Sequence, residues 1–392
     1  MKKTLLALFV AILLSACTKS PLPDPATGKD PIETGNHPKG DSLQRLLKKH
    51  LAKGLPGAVI AIKDGQGQWT GAGGFARMED GTRMHGGMLQ IGRSITKIVT
   101  ATAIMQLKEK GRIVLDAPIR TYLPENLKHL VPQTGTVTVR MLLNHTSGYN
   151  EYVDLPEFQQ RWLDNPLTTW SENELQRLIR KRCLLLFEPG TDYRYSNINY
   201  YLLAQILDQV TGKPHGHWFQ QHIFNPLGLQ DMYYKHSPGY PDYRNRPDFY
   251  YPRFDNGVLE NNTAATLAWE KSEEYGTVGL VATPDNYLRL LQGLVEGRLV
   301  NAASLAEMKQ WVQGSGSSEP DYGLGLSYWG YGSKPNFGHD GDGIGCHTIL
   351  LYFPGSQTYL FLAVNAPIVF GGRMQQIISE FQNETGNYLA SF

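Results

Sequence analysis

The sequence has no excess of charge of either sign and no basic run. Its 37 lysines and arginines balance 36 aspartates and glutamates, which gives a formal net charge of +1. Removal of two lysines with an N-terminal leader would lower this to about −1. Nucleic-acid binders carry a clustered basic patch, so the balance gives no reason to expect nucleic acid as a partner.

Cysteine is also scarce, since only Cys17, Cys183 and Cys346 occur. An exported protein could join Cys183 to Cys346, but their spacing gives no geometric reason for a bridge, and two buried free thiols are the preferred interpretation. The metal-binding patterns C-x-x-C and H-E-x-x-H are absent. His215, His217 and His222 match no zinc spacing, so we interpret them as a solvated face and expect no metal.

The N-terminal apolar stretch covers only about ten residues, 5–14, which suits a signal peptide and is too short to span a bilayer. The LSAC segment that follows resembles a bacterial lipobox, in which the cysteine, here Cys17, is lipidated and becomes the mature N-terminus. We therefore predict a lipoprotein signal peptide at 1–16; the alternative is an ordinary leader cleaved near Ala16. Thr18 resembles an outer-membrane sorting pattern, so we expect a lipid-anchored protein of the bacterial cell envelope that faces the periplasm.

A tether and one folded domain are predicted after the leader. Residues 17–40 hold five prolines without apolar periodicity, which predicts a semi-extended membrane tether. The chain is 41% hydrophobic and 19% charged, which suits a globular domain over 41–392. Strand-like runs near both ends predict an α/β (α+β) fold. We expect an antiparallel sheet flanked by N- and C-terminal helices, with a mainly helical insertion at about 112–275.

Local signals place several elements of this domain. Leucines at helical spacing predict that folded structure begins with a helix near Asp41. Asp64-Gly65 predicts a hairpin between two short strands, and a helix is expected from Ser94 to about Lys110. Further strands are predicted at 325–329, 347–353 and 359–364, and a last helix at 373–381.

The segment SITK, Ser94 to Lys97, is the only S-x-x-K in the sequence. On a helix, this spacing places the ammonium and the hydroxyl on one face. The helix is apolar nearly all round, and burial would lower the pKa of the lysine, so that its neutral amine could activate the serine. Backbone N–H groups at the helix N-terminus could stabilise an oxyanion. The alternative interpretation is a surface Ser/Lys pair.

Two further segments offer chemistry. Tyr195 and Asn197 follow a Pro-Gly turn and precede a helix-like stretch; the phenol could transfer a proton and the amide could bind a substrate carbonyl. The alternative is a turn with a helix cap. His339-Asp340-Gly341 precedes a strand-like run, and its alternative interpretation is a polar hairpin turn.

Together these segments resemble the serine β-lactamase and penicillin-binding protein superfamily, in its class C and D,D-carboxypeptidase-like branch. That branch carries S-x-x-K, Y-x-N and K-T-G or H-x-G in this order. The stretches 115–118, 142–148, 279–283 and 322–325 are also similar in kind and order, 142–148 to the "LL-x-HTSG" passage. The resemblance covers about residues 42–385.

The resemblance implies that Ser94 is the acylated nucleophile and that Lys97 activates it. Tyr195 would work with Lys97 in passing the proton to the leaving group and in deacylation by water. No metal or organic cofactor is implied.

The resemblance also implies a set of substrate-binding residues. Asn197 would orient the substrate amide or ester, and His339 would supply hydrogen bonding or positive potential at the cleft edge. Gly341 would keep its strand free of a side chain where substrate lies. The oxyanion hole would consist of the backbone N–H groups of Ser94 and Asp342.

The sequence departs from class C β-lactamases at the third motif, because K-[ST]-G is absent and His339-Asp340-Gly341 stands in its place. A titrating histidine and an added carboxylate bind an anionic β-lactam less well than a fixed lysine charge. We expect a serine hydrolase of D,D-carboxypeptidase, D-amino-acid peptidase or esterase type, acting on a small-molecule or peptidoglycan-peptide substrate. A class C-like β-lactamase and a non-catalytic cell-wall-binding lipoprotein are the alternatives; an α/β-hydrolase is excluded because G-x-S-x-G is missing around Ser94.

Overall fold

The computed structural model describes residues 32–235, 240, 245–272, 275–332, 335–369 and 371–392. The predicted signal peptide, the predicted lipidation site Cys17 and most of the predicted tether lie outside the described residues. Among the helices that are described, none is both long enough and apolar enough to cross a membrane.

Most of the described strands belong to one antiparallel sheet. In chain order the strands are β1 (Ile32–Thr34), β2 (Gly57–Asp64), β3 (Gly67–Arg77), β4 (Thr82–Arg83), β5 (Gln90–Ile91), β6 (Met232–Tyr234), β7 (Tyr250–Tyr251), β8 (Glu260–Asn261), β9 (Leu280–Ala282), β10 (Ser327–Trp329), β11 (Asn336–Gly343), β12 (Cys346–Phe353) and β13 (Thr358–Val364). The sheet has the order β1-β3-β2-β13-β12-β11-β10, with β4 added to β3, while β5-β9-β6 and β7-β8 are small separate sheets. Strands from both ends of the domain therefore meet in one sheet, as the sequence predicts.

Helices cover the faces of the sheet and fill the middle of the chain. In chain order they are α1 (Gly40–Leu51), α2 (Thr96–Glu109), α3 (Val139–Leu143), α4 (Pro156–Asp164), α5 (Glu172–Arg182), α6 (Asn197–Thr211), α7 (His215–Phe219), α8 (Asn225–Leu227), α9 (Thr263–Glu270), α10 (Pro284–Val295), α11 (Ala302–Met308) and α12 (Gly372–Ala390). The predicted insertion at 112–275 holds α3 to α9, interrupted by short strands. The last helix continues to Ala390, past its predicted end at residue 381.

The central strand β13 explains why the sheet is buried on both faces. All seven of its residues are buried, and successive side chains point to opposite faces. Phe361 and Ala363 pack into the larger core, towards the helical insertion. Leu360 and Leu362 pack into a second core with α1 and α12. Three leucines of α1 recur at helical spacing in this second core and are fully buried: Leu43, Leu47 and Leu51.

Helix α2 runs through the larger core and is buried on nearly all sides. Twelve of its fourteen residues are buried, among them Lys97, which confirms the central buried helix predicted from its apolar pattern. It packs against α6, and its first turn lies beside β11. The helix therefore places its N-terminal residues where the sheet and the helical insertion meet.

The folded domain begins earlier than the sequence predicts. The proline-rich composition predicts a tether up to residue 40, whereas β1 pairs with β3 from Ile32 onward. His37 Nε2 and Lys39 Nζ contact the Asp64 carboxylate at 2.8 and 2.5 Å, and all three side chains are nearly buried. These contacts join polar groups far apart in sequence and have no apolar periodicity, so only the tertiary structure reveals them.

Two predicted turns have different outcomes. The hairpin at Asp64-Gly65 is confirmed, with Asp64 paired to Gly67 across a two-residue turn. The segment that begins at His339 is not a hairpin turn, because it lies within β11, paired to β12 along its length.

Strand β11 approaches the turn that carries Ser94 because Gly341 has no side chain. A Cβ atom at Gly341 would lie 2.2 Å from the Gly92 carbonyl oxygen and 3.0 Å from Arg93 Cβ. The resemblance implies that substrate needs this space. In the structure the turn before Ser94 occupies it, so the glycine allows the strand and this turn to meet.

We expect Gly341→Ala to lower the free energy of unfolding by about 1–3 kcal/mol, the usual cost of overpacking, because β11 must move away from the turn. Urea denaturation measures the change. Gly65→Ala is the matched control, since a Cβ at Gly65 meets no atom within 4 Å, and should change the free energy by less than about 0.5 kcal/mol. Equal destabilisation of the two variants would contradict the explanation.

Candidate active site

Ser94 enters the central helix from a tight turn. Residues Arg93–Ile95 form one turn of 3-10 helix that leads into α2. Arg93 has a φ of 45°, which few non-glycine residues adopt, and Thr96 Oγ1 donates a hydrogen bond to the Arg93 carbonyl at 2.7 Å. Arg93 and Ile95 are buried, but Ser94 is only half-buried and lines a cleft.

Lys97 lies one helical turn after Ser94 with its amine directed at the hydroxyl. Lys97 Nζ is 3.0 Å from Ser94 Oγ and 3.2 Å from the Thr277 carbonyl oxygen. The side chain is fully buried, and Nζ lies 5.0 and 5.6 Å from the ring centres of Tyr195 and Tyr200. The amine thus faces the hydroxyl and not bulk solvent, which is the geometry that a general base for Ser94 requires.

Tyr195 reaches Ser94 from the loop before α6. Tyr195 and Ser94 both line the cleft, and the Tyr195 ring centre lies 5.0 Å from Lys97 Nζ. Burial raises the pKa of Tyr195 well above its usual value, although the Ser94 side chain opposes this shift. The phenol is therefore protonated at neutral pH and suited to donate a proton.

His145 holds the Tyr195 loop against the rest of the site. It is fully buried, and its Nδ1 accepts hydrogen bonds from the Ser196 backbone N–H at 3.2 Å and the Asn199 side-chain amide at 2.9 Å. Its ring centre lies 4.3 Å from that of Tyr195. Burial lowers the pKa of His145 well below its usual value, and nearby positive charges lower it further. A neutral imidazole in this place positions the phenol.

Asn197 and Glu151 form the wall next to Tyr195. Glu151 accepts the Asn197 backbone N–H at 2.5 Å and the Val153 N–H at 3.1 Å, so its carboxylate caps the N-terminus of α6. Burial raises the pKa of Glu151 to about 7, although both hydrogen bonds oppose this shift. Asn197 Oδ1 is buried and has no hydrogen-bond partner among the described residues, which leaves it open to a substrate donor.

His339 lies behind the cleft wall, not at its edge as the resemblance implies. It is 1% exposed, its Nδ1 lies 2.6 Å from the Asp340 carbonyl oxygen, and its Nε2 lies 2.7 Å from the hydroxyl of Tyr322. Both ring nitrogens are therefore used inside the protein. The cleft lining includes Tyr322 and not His339, because the shorter histidine is covered by this tyrosine.

Asp342 lies on the strand that contacts the nucleophile turn, where the predicted oxyanion donor is required. Its carboxylate is 2.6 Å from His347 Nδ1, and His347 Nε2 is 2.9 Å from Gln382 Oε1 on α12. Although burial disfavours the imidazolium, Asp342 raises the pKa of His347 overall. The imidazole offsets the carboxylate charge beside the backbone N–H predicted to bind the oxyanion.

Carboxylates and aromatic side chains line the cleft above Ser94, whose volume is ≈ 400 Å³. The lining consists of Ser94, Tyr193, Tyr195, Asn197, Asp321, Tyr322, Ser327, Asp340 and Asp342. Three of these described residues are carboxylates, and none is a lysine or an arginine. In the adjoining groove of ≈ 660 Å³, Arg194 pairs with Asp154 at 3.2 Å.

Several residues of the site are missing from the sequence prediction, and four of them illustrate why. His145 and Tyr322 lie in segments that match family passages, so a signal was present, although nothing indicated a role in the site. Glu151 and Asp321 lie in loops without a pattern. Only the fold brings Asp321 to the cleft and Glu151 to the adjoining groove.

His215 corrects the predicted solvated histidine face. It is 3% exposed, with its ring nitrogens 2.9 Å from Asp208 Oδ1 and 2.7 Å from the Tyr234 hydroxyl, whereas His217 is exposed. Side chains two positions apart on a helix point in different directions. The three histidines therefore do not share one environment. Within the described ranges, no group of side chains is arranged to hold a metal ion.

The two cysteines of the folded domain are free thiols, as predicted, but only one of them is buried as the preferred interpretation expects. Cys346 is buried and Cys183 is half-buried. Burial raises the pKa of both thiols, so neither is an activated nucleophile.

Comparison with known proteins places this geometry among enzymes. A Bacillus subtilis protein named as the penicillin-binding protein PbpX is 30% identical to this chain over 249 residues. The alignment covers 62% of this chain and 56% of that protein. The chain spans about half the length of curated relatives such as this one. Crystal structures of a D-stereospecific amidohydrolase from Streptomyces sp. and a D-amino acid amidase from Ochrobactrum anthropi SV3 are similar, with 28% and 25% identity and TM-scores of 0.72 for both. The alignments cover 87% and 89% of this chain, and 98% and 100% of the amidohydrolase and amidase chains, respectively.

A family model described as Beta-lactamase matches residues 43–374. The match includes every strand of the sheet except β1, together with α2 and all the residues that line the cleft above Ser94. The resemblance seen in the sequence is thereby confirmed. The chain belongs to the β-lactamase family.

Proposed function

We propose that the protein hydrolyses the amide bond of D-amino-acid amides or short D-amino-acid peptides that carry a free amino group. The observation that carries this proposal is the cleft lining, which holds three carboxylates, of which His347 offsets the charge of Asp342 alone, and, among the described residues, no lysine or arginine. Such a cleft attracts an ammonium group and repels a carboxylate. Among the predicted activities, this favours a D-amino-acid peptidase over a D,D-carboxypeptidase, whose substrate ends in a carboxylate.

The D configuration is supported by the two structural relatives, which are named as a D-stereospecific amidohydrolase and a D-amino acid amidase. Both align with nearly the whole of the domain. The similarity is to proteins that act on amides, and amide chemistry requires a proton donor for the leaving amine. The protonated phenol of Tyr195 meets that requirement.

In acylation, Lys97 takes the proton of Ser94, and Ser94 Oγ attacks the substrate carbonyl carbon. Backbone N–H groups of Ser94 and Asp342 stabilise the negative oxygen of the tetrahedral intermediate. Its collapse breaks the C–N bond, and Tyr195 protonates the leaving amine while the phenol regains a proton from Lys97. A water molecule then attacks the acyl carbon, and its proton passes through the same groups to Ser94 Oγ. The bond between the acyl carbon and Ser94 Oγ breaks, which restores the serine hydroxyl and releases the acid.

Glu151 is the best-placed group for the substrate ammonium. It lies beside Asn197 in the groove that adjoins the cleft, and both of its oxygens already accept backbone N–H groups. Each oxygen retains a lone pair. An ammonium group would lower the raised pKa of Glu151 and form a charge-assisted hydrogen bond with it.

The two alternatives fit the geometry less well. A non-catalytic binding protein has no need of a fully buried lysine 3.0 Å from a serine hydroxyl. A β-lactamase needs a cation for the substrate carboxylate, and here His339 is enclosed and hydrogen-bonded on both nitrogens. Ester hydrolysis would use the same groups as amide hydrolysis and is expected as a side activity.

Replacing Lys97 by alanine should lower the acylation rate at least ~10²-fold, the usual contribution of a general base, with the fold retained. Lys97→Arg should be equally slow, because arginine does not deprotonate. The rate is measured from the burst of p-nitrophenol with an activated ester and from the mass of the Ser94 adduct. Lys108→Ala, on the same helix and paired with Glu307, is the control and should keep the full rate. Normal acylation by Lys97→Ala, with an unchanged circular dichroism spectrum, would exclude the assigned role.

Replacing Glu151 by glutamine should raise KM for D-phenylalanine amide about tenfold, since a charge-assisted hydrogen bond contributes about 1.5 kcal/mol. The N-acetylated amide, which has no ammonium, should be a poor substrate for the wild type and unaffected by the change. Asp154→Asn, on the exposed rim of the groove (58% exposed), is the matched control. If nitrocefin were hydrolysed with a higher kcat/KM than the D-amino-acid amide, the proposed substrate class would be wrong.

We also propose that Cys17 carries a lipid anchor that holds the enzyme in the cell envelope, on the basis of the lipobox-like segment. In cells fed radiolabelled palmitate, the wild type should be labelled and Cys17→Ser should not. The labelled protein should fractionate with membranes. A Cys17→Ser protein that remains labelled would rule out this site.

A further inference from the structure

The segment Gly276-Thr277 passes beside the catalytic lysine, and its peptide groups are held from both sides. The Thr277 carbonyl oxygen accepts Lys97 Nζ at 3.2 Å. The Gly276 carbonyl oxygen accepts Thr100 Oγ1, from the next turn of α2, at 2.8 Å. The position of the Lys97 amine therefore depends on the orientation of these two consecutive peptide groups.

Gly276 has no freedom to shift towards its neighbours. Its φ is +70°, and a Cβ there would lie 2.7 Å from the Tyr200 carbonyl oxygen and 2.8 Å from Ala204 Cβ. The segment is thus pressed against α6. The remaining polar group of Gly276, its backbone N–H, points the other way and donates to the hydroxyl of Tyr234 at 3.0 Å.

The Tyr234 hydroxyl is in turn held by a buried histidine. The Asp208 carboxylate can only accept, so the backbone N–H and the ring Nδ1–H of His215 both donate to Asp208 Oδ1, the ring nitrogen at 2.9 Å. With the ring neutral, Nε2 accepts the proton of the Tyr234 hydroxyl, 2.7 Å away, while the hydroxyl oxygen accepts the Gly276 N–H. In this neutral form the direction of every hydrogen bond in the series is determined.

The geometry points to Asp208, His215 and Tyr234 as positioning residues that hold Lys97 in place through Gly276 and Thr277. Tyr234 and His215 are each 3% exposed, and their rings pack against each other with centres 5.3 Å apart. The series runs from the end of α6 through α7 and β6 to the active site. None of its three side chains touches the cleft, so they act on the reaction only through the lysine. This inference rests on the proposed activation of Ser94 by Lys97 and is independent of the substrate class.

Tyr234→Phe tests the inference, because it removes the hydroxyl and keeps the ring. Labelling of the purified protein by a fluorophosphonate probe isolates the first step, in which Ser94 Oγ displaces fluoride from phosphorus and the serine proton leaves through Lys97. We expect the maximal labelling rate constant to fall roughly 10- to 100-fold, the scale of a 1 Å misplacement, with the half-saturating probe concentration unchanged. A role in folding alone would lower the amount of labelled protein and leave the rate constant of the folded fraction as in the wild type.

Tyr250→Phe is the matched control. Tyr250 is also fully buried, and its hydroxyl likewise accepts a backbone N–H, from Met78 at 2.6 Å, and donates to a second residue, Glu79, at 2.7 Å. It lies in the second core, away from Lys97. We expect this variant to be labelled at the wild-type rate. Equal rates for Tyr234→Phe and the wild type, or an equal fall in Tyr250→Phe, would overturn the inference.

Two substitutions of His215 provide an independent test should Tyr234→Phe fail to fold. His215→Gln keeps an acceptor for the Tyr234 hydroxyl and should retain most of the labelling rate, whereas His215→Leu should lose it as Tyr234→Phe does. A leucine variant that is labelled as fast as the glutamine variant would contradict the inference. A wild-type protein that is not labelled at Ser94 would overturn both this inference and the proposed function, while normal wild-type labelling with unaffected variants would overturn this inference alone.

Discussion

The enclosed contact between an amine and a serine hydroxyl is the interaction on which the rest of the structure depends. A buried polar group is costly unless its hydrogen bonds are satisfied. Lys97 is fully buried, and Ser94 Oγ and the Thr277 carbonyl oxygen both accept hydrogen bonds from its amine. The helix that carries Lys97 is buried over nearly its whole length. Water is therefore kept from the amine, and its approach to Ser94 is set by surrounding protein groups.

The sheet supplies the other half of the site by bringing a distant strand to the nucleophile turn. Strand β11 reaches the turn because Gly341 leaves room for the Gly92 carbonyl. This strand also carries the carboxylates of Asp340 and Asp342 to the cleft. A single structural contact thus places the predicted oxyanion donor and determines much of the charge that a substrate meets.

The enclosed His339 links the architecture to the proposed specificity. In the K-T-G motif of class C β-lactamases, a lysine offers a permanent positive charge. Here a histidine in its place forms hydrogen bonds with Tyr322 and a backbone carbonyl, and burial beneath the tyrosine removes it from the cleft. Without that cation the carboxylates determine the potential above Ser94, which is why an ammonium-bearing substrate is favoured.

The sequence by itself determined the family, the central buried helix and the pairing of strands from both chain ends, because these depend on local spacing and on apolar periodicity. It also indicated Ser94, Lys97 and Tyr195, whose spacing and order are characteristic. The tertiary structure alone decided that β1 belongs to the fold, that His215 and His339 are enclosed, that Asp321 reaches the cleft and that Glu151 reaches the adjoining groove. Each of these depends on contacts that polar groups make once separate elements are packed together, and such contacts have no periodicity from which a sequence could predict them.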